Sequence, residues 1–149
     1  RLEIKGEAGG ITVIDDYGHH PTEIRTTLDA IRKSYPGRRL LVVFQPHRYT
    51  RTQALFDEFT RAFYQCDMLL LLPVYPAGER EIQGVDHNRL AEGVRHHGHK
   101  SVACFDRPAD AVAGLKAQAE SGDIVLTLGA GNVWQVGMDF IHTMEADPA

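Results

Sequence analysis

The sequence predicts an α/β fold: a mostly parallel sheet with helices on both faces and one antiparallel strand at its N-terminal edge. Three observations predict it. Short strand-like apolar runs open near residues 11, 40, 68, 101 and 124, and each is followed by a segment with helical spacing. Leu40 to Phe44, Met68 to Leu72 and Ile124 to Leu128 show no polar alternation, as strands covered on both faces do. Leu2 and Ile4, by contrast, alternate with Glu3 and Lys5 ahead of Gly9-Gly10, the pattern of a half-exposed strand that turns back on itself. Right-handed crossovers then make the remaining strands parallel.

The elements follow in order. Ile11 to Asp15 is a β-branched strand, and Pro21 suits the first position of a helix over 22–34, with Ile24, Leu28 and Ile31 on its apolar face and Pro36-Gly37 as its stop. His20, preceding proline, is expected to be extended. A second helix is expected over 51–65 with Leu55, Phe56, Phe59, Ala62 and Phe63 inward, and 73–87 is a long loop of the kind that is functional or mobile. A short helix over 88–97 presents Leu90, Ala91 and Val94, a strand covers 102–105 and a helix 109–119. The last helix carries Val133, Val136, Phe140, Ile141 and Met144 before a polar tail. In such sheets ligands bind beyond the carboxyl ends of the strands, so the loops 15–20, 45–51, 73–84 and 129–132 are expected to share one edge.

The 149 residues suffice for one domain burying roughly 70% of its unfolded surface. A formal charge of −4 gives no general pull toward nucleic acid or anionic membrane. No apolar run approaches the ~20 residues of a membrane span and no signal peptide opens the chain, so a cytoplasmic protein is expected. Cys66 and Cys104 form no CxxC pattern and are read as reduced, buried thiols. The chain opens on Arg1, without an initiator methionine, which suggests a fragment of something longer.

Chemistry concentrates in two stretches. Asp15-Asp16-Tyr17-Gly18-His19-His20-Pro21 sets acids, an aromatic and imidazoles at the mouth of a helix, where free N–H groups favour anions. In His47-Arg48-Tyr49-Thr50-Arg51-Thr52-Gln53, a Thr50/Gln53 capping box would put Arg51 in the first helical turn and Arg48 just outside it. Two cations at a positive helix end are unfavourable unless an anion sits among them, and guanidinium forks suit a carboxylate or phosphate. His96, His97 and His99 are read as solvated histidines at a helix end, and Gly129-x-Gly131 as a tight strand-to-helix turn, because Trp134 stands where a dinucleotide fingerprint has its third glycine. No P-loop motif is present, so P-loop ATP chemistry would need another domain.

Asp15-Asp16-Tyr17-Gly18-His19-His20-Pro21-Thr22-Glu23, His47-Arg48-Tyr49-Thr50-Arg51, Pro73-Val74-Tyr75-Pro76-Ala77-Gly78-Glu79 and Gly129-Ala130-Gly131-Asn132, in this order, resemble the C-terminal domain of the Mur ligases, in their alanine-adding branch. The resemblance covers nearly all of 1–149 as a single amino-acid-binding domain with a Rossmann-like sheet. It implies a third of a three-domain enzyme whose N-terminal and central domains are absent here. The implied reaction is ATP-dependent amide formation in the cytoplasmic stage of peptidoglycan synthesis: the carboxylate of UDP-N-acetylmuramate is phosphorylated and the amine of L-alanine attacks the acyl phosphate, with Mg2+ held mainly by the central domain. By the same resemblance Arg48 and Arg51 clamp the alanine carboxylate with His47, Tyr17 and His19 nearby, and Asp16 contacts the nucleotide ribose. No residue of this chain is assigned as catalytic or as a metal ligand, and the fragment alone is expected to be inactive.

Three other readings compete. A recycling ligase that attaches a whole tripeptide shares the Asp-Asp-aromatic-x-His-His-Pro-Thr pattern, but His47-Arg48-Tyr49-Thr50-Arg51 favours the alanine-adding enzyme. A metal-dependent hydrolase could be built on Asp15, Asp16, His19 and His20, with Asp106 the one further acid at a matching strand end. A signalling receiver would need an aspartate after the third buried strand, where this chain has Pro73-Val74-Tyr75.

Overall fold

The computed structural model describes residues 2–146; Arg1 and positions 147–149 of the polar tail lie outside the described residues. Six strands, β1 (Glu3–Ala8), β2 (Ile11–Asp16), β3 (Leu40–Phe44), β4 (Met68–Leu71), β5 (Val102–Cys104) and β6 (Ile124–Leu128), form one sheet in the order β1-β2-β6-β3-β4-β5. Among the described strands only β1 runs antiparallel, joined to β2 by Gly9 and Gly10 at φ 58° and 78°, the left-handed pair that a two-residue hairpin requires. The other neighbours pair in parallel. This is the predicted architecture, edge strand included.

Helices α1 (Pro21–Ser34), α2 (Tyr49–Ala54), α3 (Phe56–Thr60), α4 (His87–His96), α5 (Pro108–Gln118) and α6 (Trp134–Ala146) cover both faces. Because strand side chains alternate, Leu40, Val42 and Phe44 face a core with Ile24, Leu28 and Ile31 of α1, Phe59 of α3 and Leu90, Ala91 and Val94 of α4. Leu41 and Val43 face the other core, with Ala111 and Leu115 of α5 and Val136, Phe140 and Ile141 of α6. As expected, Pro21 opens α1 and His20 is extended, at φ −104° and ψ 144°.

The helix expected over 51–65 is the main departure. It divides at Leu55, whose φ −113° and ψ 20° leave the helical region, and the second piece stops at Thr60. There the Thr60 hydroxyl donates to the Asp57 carbonyl at 2.6 Å and the Arg61 N–H to Glu58 at 3.2 Å, i to i−3 bonds that tighten and close the last turn. The following turns bury Ala62, Phe63 and Cys66 without helical backbone, so the inward residues were identified correctly and the regular helix was not. Elsewhere ends shift by a residue: α4 and α5 begin at His87 and Pro108, and β4 and β5 stop at Leu71 and Cys104.

The amino ends of the strands are tied by three arginines. Arg32 donates to the carbonyls of Gln65 and Arg38 and to Asp67. Arg38 donates to Gly122, Asp123 and the Thr12 hydroxyl, and Arg39 to the Gln118 carbonyl and the buried Asp123 carboxylate. No described helix is long and apolar enough to cross a membrane.

Leu126, fully buried in the central β6, and Ile4, 62% exposed on β1, make a direct comparison. Leu126→Ala is expected to lower unfolding stability by about 2–5 kcal/mol in urea titrations, and Ile4→Thr to change it by less than about 0.5 kcal/mol.

Candidate functional site

Parallel register levels the carboxyl ends of the strands: Asp16 pairs with Leu128, Leu128 with Phe44 and Phe44 with Leu71. The next residues of all four chains therefore emerge side by side, and the four loops do share one edge. Glycines let them touch. A Cβ on Gly129, which sits at φ 153°, would lie 2.9 Å from the Gln45 carbonyl oxygen, and one on Gly131 would lie 3.2 Å from the Tyr75 ring. The 129–132 segment is a tight turn, as its sequence suggested.

The paired acids diverge. Asp15 accepts the Thr127 hydroxyl at 2.6 Å; burial pushes its carboxyl above the usual range, against the lowering effects of that bond and of Lys5. Asp16 turns toward α1, where its Oδ2 accepts the Gly18 N–H at 3.1 Å and the Thr27 hydroxyl at 2.9 Å. It forms the floor of a hollow of about 320 Å³ lined by Tyr17, Gly18, Thr22, Glu23, Thr26 and Thr27. His20 caps α1 on the exposed side, and Glu23 accepts the N–H groups of His19 and His20. Among the described residues no group of three or more His, Cys, Asp or Glu is placed to hold a metal, so the hydrolase reading loses its ligand set.

Across Gly18 from Asp16 lies a row of rings. Tyr17 meets His19 edge-on at 5.7 Å, His19 lies 5.9 Å from His47, and His47 stacks on Tyr75 at 5.3 Å with the planes 10° apart. The His19 Nδ1 lies 3.1 Å from the Tyr17 carbonyl, which can only accept, so neutral His19 carries its proton there and leaves Nε2 as an acceptor. The His47 Nδ1 lies 3.3 Å from Arg51 Nη1, which can only donate, so neutral His47 carries its proton on Nε2. Arg51 Nη1 also donates to the His47 carbonyl at 3.1 Å. The predicted Tyr17, His19, His47 and Arg51 thus form one contiguous cluster.

Arg48 adjoins it through the backbone. Its N–H donates to the Tyr75 carbonyl at 2.8 Å while the Tyr75 N–H donates to Pro46 at 2.8 Å, so the 73–79 segment splints the arginine loop. Arg48 is the N-cap of α2 and holds φ 74°, a left-handed conformation that costs a non-glycine residue about 1–2 kcal/mol.

The Thr50/Gln53 capping box is not what forms. Because α2 starts at Tyr49, Thr50 lies inside the first turn, and both its N–H and its hydroxyl donate to the Glu79 carboxylate. Glu79 also lies 3.8 Å from Arg48, and the Thr50 bonds hold its carboxyl below the usual range. The anion demanded by the cationic helix end is, in part, the chain's own.

The remaining histidines are not all solvated. Nε2 of half-buried His99 donates to the Cys66 carbonyl at 2.8 Å and its Nδ1 accepts the Ser101 N–H at 3.3 Å, bracketing the turn before β4 to the one before β5. His96 and His97 are exposed. His87, buried at the start of α4, reaches Asp106 at 3.0 Å. Cys66 and Cys104 are free thiols, and burial pushes Cys66 up to about 12.

Burial first, then Arg51, His19 and Arg48, hold the His47 imidazole below 6.5. Between its folded value and 6.5 the unfolded chain binds the extra proton, so His47 withdraws stability as pH falls through that window and contributes nothing to pH dependence above it. Removing a neighbouring cation is expected to relax this: in an NMR titration Arg51→Ala should move the His47 midpoint upward, toward 6.5, and a downward move would contradict the assigned cause.

The sequence of residues 1–131 matches the family described as Mur ligase, glutamate ligase domain. A UDP-N-acetylmuramate–L-alanine ligase of Desulfosudis oleivorans is 60% identical over 145 residues, 97% of this chain and 32% of that protein, so the chain spans about a third of that relative's length. Among solved structures, the UDP-N-acetylmuramate–alanine ligase of Thermotoga maritima superposes with a TM-score of 0.78 at 22% identity, over 96% of this chain and 29% of that one. A murein peptide ligase of Psychrobacter arcticus gives 0.76 at 22% identity, over 95% and 29%. These two likenesses are of fold alone, whereas the family match takes in the acid-histidine, arginine, Glu79 and Gly129 segments together: the chain belongs to the Mur ligase C-terminal domain family.

Proposed function

We propose that this chain is the amino-acid-binding domain of a three-domain ligase that joins L-alanine to UDP-N-acetylmuramate at the expense of ATP, in the cytoplasm. The observation that carries this reading is the Arg48 and Arg51 pair at the start of α2, on the carboxyl edge of the sheet beside the His19 and His47 imidazoles and the exposed Tyr17. The relative that is 60% identical, named for the alanine reaction, supports alanine over a peptide substrate.

The reaction makes an amide from a carboxylate and an amine. Transfer of the γ-phosphoryl group of ATP to the muramate carboxylate gives an acyl phosphate and ADP; the amine then attacks the carbonyl carbon, loses a proton, and inorganic phosphate leaves. This chain's part is to hold the amino acid. Arg48 and Arg51 would bind its carboxylate through guanidinium N–H groups, the His47 Nε2–H would donate beside them, and the His19 Nε2 is a lone pair available to the ammonium. Binding the nucleophile in this way converts a bimolecular attack into a positioned one. The hollow of about 320 Å³ beside Asp16 is lined by the hydroxyl-bearing Thr22, Thr26 and Thr27 and by Glu23, and we assign Asp16 as the acceptor of a ribose hydroxyl there. Mg2+ supplies charge neutralisation at the phosphates. Asp15 and Asp16 point apart and do not fit it, so its ligands are assigned to the central domain. The chain by itself is expected not to turn over.

In the full-length protein, release of ADP should depend on both UDP-N-acetylmuramate and L-alanine. Arg48→Ala and Arg51→Ala should each raise the alanine KM about 10- to 150-fold, the equivalent of one charge-assisted bond of about 1.5–3 kcal/mol, with the ATP KM unchanged. If alanine fails and the tripeptide restores turnover, the recycling ligase is the right branch.

A further inference from the structure

We infer that Glu79 is a positioning residue for the carboxylate clamp, fixing where the Arg48 guanidinium stands. This rests on the reading of Arg48 as a carboxylate-binding group and adds a residue to it.

The argument begins with what α2 lacks. It has six residues, no side-chain cap from its own N-cap and no acidic residue in its first turn, while that N-cap is itself a cation. Left alone, the free N–H groups and the guanidinium would repel each other and the Arg48 side chain would swing into solvent, where it is already 45% exposed. Glu79 answers both demands with one carboxylate. Its two oxygens take the N–H and the hydroxyl of Thr50, and Oε2, the oxygen that receives the hydroxyl, stands 3.8 Å from Arg48 Nη1.

The chain is shaped to deliver it. Ala77 and Gly78 take successive left-handed conformations, φ 51° and 87°, and the Glu79 N–H closes that turn on the Pro76 carbonyl at 3.0 Å. A few residues earlier Tyr75 holds the Arg48 N–H. One segment thus grips Arg48 at both ends, backbone through Tyr75 and side chain through Glu79. Arg51 is gripped separately, by His47. Each arginine is thereby anchored on one side, with its spacing from the other set before any ligand arrives.

The test uses the full-length enzyme and steady-state kinetics. Glu79→Ala should raise the alanine KM at least tenfold, lower kcat less than threefold at saturating alanine, and leave the ATP KM within twofold. Glu79→Gln, which keeps an acceptor for Thr50 and loses the charge facing Arg48, should fall between Glu79→Ala and the parent. In an Arg48→Ala background Glu79→Ala should add less than twofold, because the group it positions is gone. An unchanged alanine KM in both Glu79 variants, an effect fully additive with Arg48→Ala, or parallel losses in alanine and ATP KM would each overturn the inference. Arg48→Ala is the control: no change there overturns the clamp itself, whereas a large Arg48 effect with silent Glu79 variants overturns only the role of Glu79.

Discussion

Parallel pairing of β6 between β2 and β3 is the constraint on which the site depends. Register sets Asp16, Leu128 and Phe44 level, so Tyr17, Gly129 and Gln45 leave the sheet side by side. Residues far apart in sequence, such as His19 and His47, become ring neighbours with no contact of their own driving it. The cores on the two faces supply the free energy of folding, and the loops inherit their geometry from strand ends they cannot move.

The fold was legible because its signals are local and repetitive: unbroken apolar runs, helical spacing at Ile24, Leu28 and Ile31, a proline at the start of α1 and paired glycines at the hairpin. Failures arose where local patterns compete with tertiary packing. The spacing of Leu55, Phe56, Phe59, Ala62 and Phe63 fits one long helix, yet with a helix that stops at Thr60 the last three are still buried and the first two still pack against the core, because burial asks only that side chains reach it. His99 was misjudged for a related reason. A histidine beside two exposed ones looks solvated until the turn before β4 is known to pass beneath it.

In the site, the residue types were legible and their couplings were not. Histidines, arginines and acids at strand ends announce themselves by position. Thr50 offered a local partner in Gln53, but the geometry gives it Glu79, 29 residues away, since starting α2 two residues earlier moves Thr50 off the cap. No periodicity encodes such a pairing. Glu79 could be singled out only as the last residue of a segment with family resemblance, and Tyr75 in the same way. The left-handed backbone of Arg48 is likewise invisible in sequence, because arginine carries no hint of it.

The arginines fall into two populations by edge. Arg32, Arg38 and Arg39 spend their N–H groups on carbonyls and carboxylates at the amino ends of the strands, lacing loops that are 84 residues apart in the case of Arg38 and Gly122. At the opposite edge Arg48 and Arg51 are each fastened on one side only. The result is a body cross-braced at its base, with two half-anchored guanidinium groups at its rim. Any rigid-body tilt of such a body would carry both groups together at constant separation, with no hinge needed between them.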